Sequence, residues 1–460
     1  MPFSYHNKQD KESSWRERWG VKFRWTPQHL TPTDLQPMIH TYDTLATEAA
    51  EHLDYMSSRF SDVGFSGEGN GTTQAEERPR RDLYELLQQC AANDHDTGRL
   101  WKEINTVPDW VDWEQIERGQ RVFYRYGGPT ITALTFMSLL GGMGSGRTVE
   151  TLNRTGGFSA DVVRRRLLET LQHTLHVTQD LESIKPGGDG FVDSVRVRLL
   201  HAAVRRRVLQ IAAVNPSYYN VESLGIPIND LDCVGTINTF SATVIWMGLP
   251  RQGIWLRKQE ITDYLALWRY VAYLMGAPHE WMSTPASARR MMESLLVAEI
   301  QPTAVSATLA NNIISGLQCQ PPTYASRQFM CAMTYWLNGR ELSEALEIEH
   351  PSMYYSVLLA RKALHKVLLH DKSQGGLGYT ARFNLKFIPS LDRPSTVRGS
   401  VPPESRKNNN TKSSSSVERT ALVTLLASAA LFGASAWCCV RVGKWVISWA
   451  GSSGNAKRFL

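Results

Sequence analysis

Cysteine is scarce in this chain of 460 residues, which contains six. No two of them form a CxxC pair, so a disulfide framework and a structural zinc site are both unfavoured. A reduced environment facing the cytosol fits this usage better. The six are Cys90, Cys233, Cys319, Cys331, Cys438 and Cys439.

Several signatures of catalysis and binding are also missing. The chain has no GxSxG nucleophile motif, and the glycine-rich stretch Gly141–Gly146 is not followed by the Lys-Ser or Lys-Thr of a phosphate-binding loop. We interpret it as a turn between helices that allows close backbone approach. Glu347 and His350 form a Glu-x-x-His pair, but a di-iron bundle needs a second. The net charge of +6 is mild, and no basic stripe is interleaved with aromatics, so nucleic acid is not an expected partner.

Alternating apolar and polar runs are nearly absent, so we expect no sheet of consequence. Apolar residues instead recur at helical spacing, and Pro and Gly separate the segments. The predicted fold class is all-α, with one large helical domain over residues 82–392. The predicted helices cover residues 159–183, 191–213, 230–248, 258–275, 285–299, 302–316, 323–337, 340–347 and 351–370, with a buried apolar run at 130–140.

The first 81 residues are predicted to form an N-terminal extension. Residues 1–30 are polar and charged and do not resemble a signal peptide. Their tryptophans are expected to pack on the main body, with contact to a membrane interface as the alternative. Residues 61–80 are rich in Gly and polar groups and are predicted to be a mobile loop.

The last 68 residues differ in composition from the rest. Residues 393–419 contain runs of Asn and Ser and several prolines, and are predicted to be a disordered linker. Residues 420–440 hold no charged side chain and, as a helix, would extend roughly 31 Å, enough to span a bilayer. A short tail, 441–460, follows. We expect a single-pass membrane protein inserted after translation, in the endoplasmic reticulum, with its large domain in the cytosol.

His201 is the most informative single residue. The stretch from Val195 to Arg207 has helical spacing, and Arg198, His201 and Arg205 lie at i, i+3 and i+7, on one helix face. An imidazole flanked by guanidinium groups suits an anionic metal cofactor such as haem. The imidazole can ligate the iron, and the arginines can neutralise the propionates. A basic helix with a structural histidine is the alternative reading of the same spacing.

Several short stretches resemble one family. Over about residues 110–350 the chain is similar to the haem-dependent rubber oxygenases (latex-clearing proteins) and to fungal oxygenases bound to the endoplasmic reticulum, of the mycophenolic acid pathway type. The order and spacing of the pieces carry the resemblance. They are Arg198–Arg205 (RLLHAAVR), Gly225–Asn229 (GIPIN), Thr236–Ser241 (TINTFS), Tyr264–Tyr270 (YLALWRY), Tyr273–Gly276 (YLMG) and Leu337–Leu342 (LNGREL).

The resemblance implies a core distantly like that of globins and haem b as the cofactor. His201 then maps to the axial iron ligand, with Arg198 and Arg205 beside it. Thr155 maps to a threonine on the opposite side of the haem. Arg154 stands where rubber oxygenases have a ligating lysine; because arginine does not readily lose its proton, the sixth position would hold water or stay open. Glu150 is near, but nothing assigns it as the catalytic carboxylate.

The implied activity is oxidative cleavage of a carbon–carbon double bond with dioxygen. The substrate would be a small, apolar, isoprenoid-type molecule such as a prenylated secondary metabolite, which suits a membrane-anchored enzyme. Two alternatives stay open: a haem-binding protein without catalysis, and a tail-anchored helical scaffold without a cofactor. The candidate pocket lining is Phe136, Met137, Phe240, Ile245, Trp246 and Met247.

Overall fold

The computed structural model describes residues 14–63, 82–321 and 324–355, and helices dominate these ranges. The α-helices are α1 Pro32–Leu35, α2 Thr44–Val63, α3 Leu83–Cys90, α4 His95–Asn105, α5 Trp113–Arg125, α6 Gly127–Ala133, α7 Gly146–Arg154, α8 Val163–Gln179, α9 Leu181–Ile184, α10 Asp189–Val214, α11 Val221–Leu224, α12 Asp230–Phe240, α13 Leu249–Arg251, α14 Lys258–Leu274, α15 Pro285–Ala298, α16 Ala304–Leu317, α17 Arg327–Asn338 and α18 Arg340–Ala345. Leu134–Leu140 and Val244–Gly248 are π-helical, and Gln36–Ile39, Gly141–Gly144 and Glu280–Met282 are 3-10 turns.

The predicted helix over 159–183 is divided at Asp180 into α8 and α9. Most of the other predicted helices up to residue 347 are confirmed, with small shifts at their ends. Capping explains two of the shifts. Thr303 accepts a hydrogen bond from the Ser306 amide, so α16 begins after it, and Ser326 caps α17 in the same way. Such side chains satisfy amide groups that the first helical turn leaves without a partner.

The predicted helix over 230–248 is interrupted. It ends at Phe240 and resumes as the π-helical segment Val244–Gly248. At this break, hydroxyl groups replace the missing helical hydrogen bonds to the backbone carbonyls. Ser138 donates to the Thr239 carbonyl, and Tyr264 donates to the Phe240 carbonyl at 3.1 Å. The break is therefore held by hydrogen bonds from two other elements, which periodicity within the segment does not reveal.

A β-hairpin near the N-terminus was not predicted. Strands β1 Ser14–Arg18 and β2 Val21–Trp25 pair antiparallel. The turn is made by Trp19 and Gly20, both with positive φ, the geometry of the tightest hairpin turns. Val21, Phe23 and Trp25 alternate with basic residues in the sequence, which is the period-two signal of a strand.

The N-terminal residues form part of the same helical body. Helix α2 packs on α10 and α4, and its residues Ala46, Ala49, Ala50 and Leu53 are buried in the main hydrophobic core. That core also contains the contact between α5 and α14. Gly119 allows the contact, because a Cβ there would lie 2.4 Å from the Asp263 carbonyl oxygen. A second hydrophobic core is formed by residues of α16, α17, the π-helical segment Leu134–Leu140 and neighbouring elements.

The glycine-rich stretch is confirmed as a close-packed turn. A Cβ at Gly146 would lie 2.4 Å from the Gln301 carbonyl oxygen, and one at Gly141 would lie 2.5 Å from Oδ1 of Asn338. These glycines therefore serve packing between helices.

Several predictions concern residues that the structure does not describe. They are most of the 61–80 loop, the greater part of the 351–370 helix, the 393–419 linker, the 420–440 span and the tail. Within the described ranges, no helix combines the length and apolar character that a bilayer crossing requires.

We expect Asp43→Ala to lower the free energy of unfolding by about 3 kcal/mol. Asp43 pairs with the buried guanidinium of Arg198, and the more exposed Glu103 compensates only in part for its loss. Denaturant unfolding of the purified protein measures the change. Glu117→Ala, which removes a solvent-exposed ion pair with Arg121, is the control and should change stability by about 0–1 kcal/mol. Equal effects of the two substitutions contradict a structural role for the buried pair.

Candidate functional site

A cavity of about 1050 Å³ lies between the two cores. Its size matches or exceeds the roughly 300–1,000 Å³ typical of ligand pockets. Helices α7, α8, α10, α12 and α15 and both π-helical segments contribute to the wall. The wall is largely apolar, and five methionines take part in it, which gives a polarizable and adaptable surface. These are Met137, Met143, Met247, Met275 and Met292.

His201 faces this cavity from the middle of α10, together with Val197, Leu200 and Val204. No hydrogen bond joins its ring to any other described residue. Burial, followed by the charges of Arg205 and Arg166, lowers the pKa of His201 to about 4. The imidazole is therefore neutral at pH 7, the form in which a ring nitrogen can bind a metal ion.

The two arginines of the predicted cofactor motif do not line the cavity. Arg198 is 3% exposed and donates to Asp43 from Nε at 2.6 Å and from Nη2 at 3.0 Å, and it also pairs with Glu103 at 2.8 Å. A further donor, Nη1, is buried and has no hydrogen-bond partner among the residues that the structure describes. Arg198 thus joins α10 to the segment before α2.

Arg205 serves a similar purpose two turns further along. Its guanidinium donates to Oγ1 of Thr47 and to the Ile228 carbonyl, both at 2.7 Å, and lies over the ring of Tyr42. The prediction that Arg198, His201 and Arg205 face one ligand is therefore corrected for the arginines. Both guanidinium groups reach the N-terminal segment because its carboxylate, hydroxyl and carbonyl acceptors satisfy cations that α10 buries.

Thr155 and Arg154, the predicted catalytic residues, are separated by the end of α7. Thr155 lies in the cavity wall, and its hydroxyl donates to the carbonyl groups of Thr151 and Leu152. Arg154 lies outside the wall and pairs with Glu150 at 3.3 Å. A catalytic role for either residue stays a prediction.

The predicted pocket lining is correct in part. Met137, Phe240 and Met247 line the cavity, whereas Phe136 and Ile245 are buried in the hydrophobic cores. Trp246 packs against both cores. The π-helical geometry of these segments changes which side chains point inward, so a helical wheel does not sort them correctly.

A polar group on α8 was missed by the sequence reading. Arg165, Arg166, Glu169 and His173 all line the cavity. Glu169 is 7% exposed and accepts hydrogen bonds from Arg165 and from Arg166, each at 2.8 Å. Spacings of three and four residues between these side chains are visible in the sequence and could have identified the group.

His173 lies one turn beyond Glu169 and is hydrogen-bonded to Ser194 at 3.0 Å. Burial is the main cause that lowers its pKa to about 4. The cavity wall therefore holds two neutral imidazoles, of which His173 has a partner. Within the described ranges, no cluster of three or more His, Cys, Asp or Glu side chains is arranged to hold a metal ion.

A relative and a solved structure resemble this chain. The rubber oxygenase of Streptomyces sp. (strain K30) is 22% identical over 282 residues, which are 57% of this chain; the chain spans 64% of that relative's length. The solved structure is a latex clearing protein in the closed state, with a TM-score of 0.50 and 17% identity, covering 74% of this chain and 84% of that one. This second likeness concerns the fold.

The family model described as "ER-bound oxygenase mpaB/B'/Rubber oxygenase, catalytic domain" matches residues 124–365, more than half of the chain. That range includes α7, α8, α10, α12 and α14, which contribute residues to the cavity wall. This chain belongs to the family of ER-bound oxygenases and rubber oxygenases, and its catalytic domain contains the cavity that His201 faces.

Proposed function

We propose that this protein is a haem-dependent oxygenase that cleaves a carbon–carbon double bond of an apolar, isoprenoid-type substrate with dioxygen. One observation carries the proposal: His201, a neutral imidazole that makes no hydrogen bond to the residues the structure describes, faces a large, mostly apolar cavity in the catalytic domain. Membership in an oxygenase family supports the reaction class.

The residues fit haem b as the cofactor. His201 would hold the iron, and its low pKa keeps protons from competing for the nitrogen near neutral pH. The cavity volume accommodates a tetrapyrrole. When bound, haem b would supply an iron that activates dioxygen.

The remaining steps belong to the chain itself. The methionine-rich wall excludes water and favours an alkene over a polar substrate. Thr155 lies in the wall, and rotation of its hydroxyl would direct a hydrogen bond into the cavity. Because Arg154 pairs with Glu150 outside the wall, we assign to Thr155 alone the proposed contact with the reacting groups.

The substrate proposal rests on the apolar wall and on the similarity to a rubber oxygenase. Polyisoprene itself is long, whereas a prenylated metabolite is short enough to be enclosed. We also propose that the core follows a globin-like arrangement around the cofactor. Anchoring of the domain to the endoplasmic reticulum through residues 420–440 completes the proposal, since apolar substrates partition into bilayers.

We expect the purified wild-type protein to show a Soret band and His201→Ala to lose it while far-UV circular dichroism is unchanged. With dioxygen and a prenylated phenol, the wild type should form a carbonyl product, and His201→Ala should fall to background. His95→Ala, at an exposed histidine, is the control and should behave like the wild type.

His173→Ala tests the other imidazole in the wall and should retain the band. Loss of the band in His173→Ala, with retention in His201→Ala, contradicts the ligand assignment. A wild-type Soret band without product formation favours the non-catalytic haem protein. The absence of any band from the wild type favours the scaffold alternative.

Placing two arginines in the uncharged run should release the protein from membranes. At the centre of a helical span each arginine costs about 2.5–3.5 kcal/mol, so Leu426→Arg with Leu431→Arg strongly disfavours insertion. Alkaline carbonate extraction of membranes containing the full chain measures the effect. Conservative changes at the same sites, Leu426→Ile with Leu431→Ile, should leave the protein in the pellet. Equal extraction of both forms argues against an anchor in this segment.

A further inference from the structure

Three arginines line the cavity within the described ranges: Arg165, Arg166 and Arg251. Arg251 directs its donors to backbone carbonyl groups of Trp19, Gly20 and Leu337. Arg165 and Arg166 differ, because both donate to the carboxylate of Glu169 in the cavity wall. We call Arg165, Arg166 and Glu169 the α8 triad. Together they carry a formal charge of +1.

The α8 triad lies close to both proposed functional residues. A Cβ built on Gly157 would lie 3.7 Å from Oγ1 of Thr155 and 3.9 Å from Nε of Arg166, so Arg166 and Thr155 flank the same glycine. The charge of Arg166 is also among those that lower the pKa of His201, which places Arg166 within electrostatic range of that imidazole. Arg166 is therefore a cation of the cavity wall that lies near both Thr155 and His201.

The arginines of the sequence motif leave this role open. Arg198 pairs with Asp43 and Glu103, Arg205 donates to Thr47 and to the Ile228 carbonyl, and neither arginine lies in the wall. A carboxylate bound in the cavity next to His201 would find its positive partner on α8. Haem b carries two carboxylates of this kind, its propionates.

We propose that Arg166, together with Arg165, binds the propionates of haem b. Glu169 holds the two guanidinium groups in place, and its carboxylate offsets part of their positive charge. This proposal rests on the proposed function. A planar guanidinium recognises a carboxylate with two parallel hydrogen bonds, and such charge-assisted bonds are stronger than neutral ones. Arg166 lines the cavity, and 39% of its side-chain surface is exposed, so its guanidinium is not enclosed by the ion pair with Glu169.

The test compares two probes, haem b and its dimethyl ester, in which both propionates are esterified and uncharged. Binding to the full-length apoprotein in detergent is followed by the Soret change. The wild type should bind haem b more tightly than the ester. Arg166→Gln should raise the Kd for haem b about tenfold and leave the Kd for the ester nearly unchanged, so the preference between the probes is lost.

Arg164→Gln is the matched control, because Arg164 is exposed on the same helical turn and does not line the cavity. It should keep the wild-type preference. Glu169→Gln provides an independent arm that removes no cation: it should preserve or increase the preference for haem b, because a competing carboxylate becomes neutral.

The outcomes separate the two proposals. If the wild type binds neither probe, the proposed function fails and this inference fails with it. If the wild type binds haem b and Arg166→Gln keeps the full preference, only the inference is overturned. Loss of the preference in Arg251→Gln, with retention in Arg166→Gln, moves the site to Arg251 and also overturns it.

Discussion

Helix α10 has to bury three basic side chains within two turns, and the way it does so organises the whole domain. Arg198 and Arg205 are almost completely buried, and an unpaired guanidinium in such a place would be costly. Their acceptors come from the segment around Asp43 and Thr47, which ties the N-terminal residues to the core. His201 lies between them in sequence and faces the cavity, which neither arginine lines.

This arrangement explains why the arginine–histidine motif is easily misread. In sequence, the three residues share a helix face, and a ligand that contacts all of them is the simplest hypothesis. In the structure, Asp43 is 155 positions away from Arg198, and no local pattern relates the two. The position of His201 in the cavity wall agrees with the prediction from the motif. The partners of the two arginines depend on tertiary contacts, which the motif does not contain. The same limit applies to Glu103, a further partner of Arg198.

The parts of the fold that sequence predicts well are those governed by local rules. Helical periodicity gives α10, α14 and α15 almost to their ends, and capping residues account for small errors elsewhere. The hairpin β1–β2 was missed although Val21, Phe23 and Trp25 alternate, because two short strands are easily outweighed by a helical chain. The break after Phe240 has a different origin: Ser138 and Tyr264 satisfy the released carbonyl groups from distant elements, and only the folded chain brings them together.

Those same breaks shape the cavity. The π-helical turns at Leu134–Leu140 and Val244–Gly248 place one extra residue per turn and bring the segments close, with a Cβ at Gly248 only 2.5 Å from that of Ala133. Met137 and Met247, one from each π-helical segment, line the cavity next to this contact. A cavity of this size is unfavourable for stability in itself, since its walls lack packing partners. Its position beside His201 therefore supports the proposal that a ligand fills it.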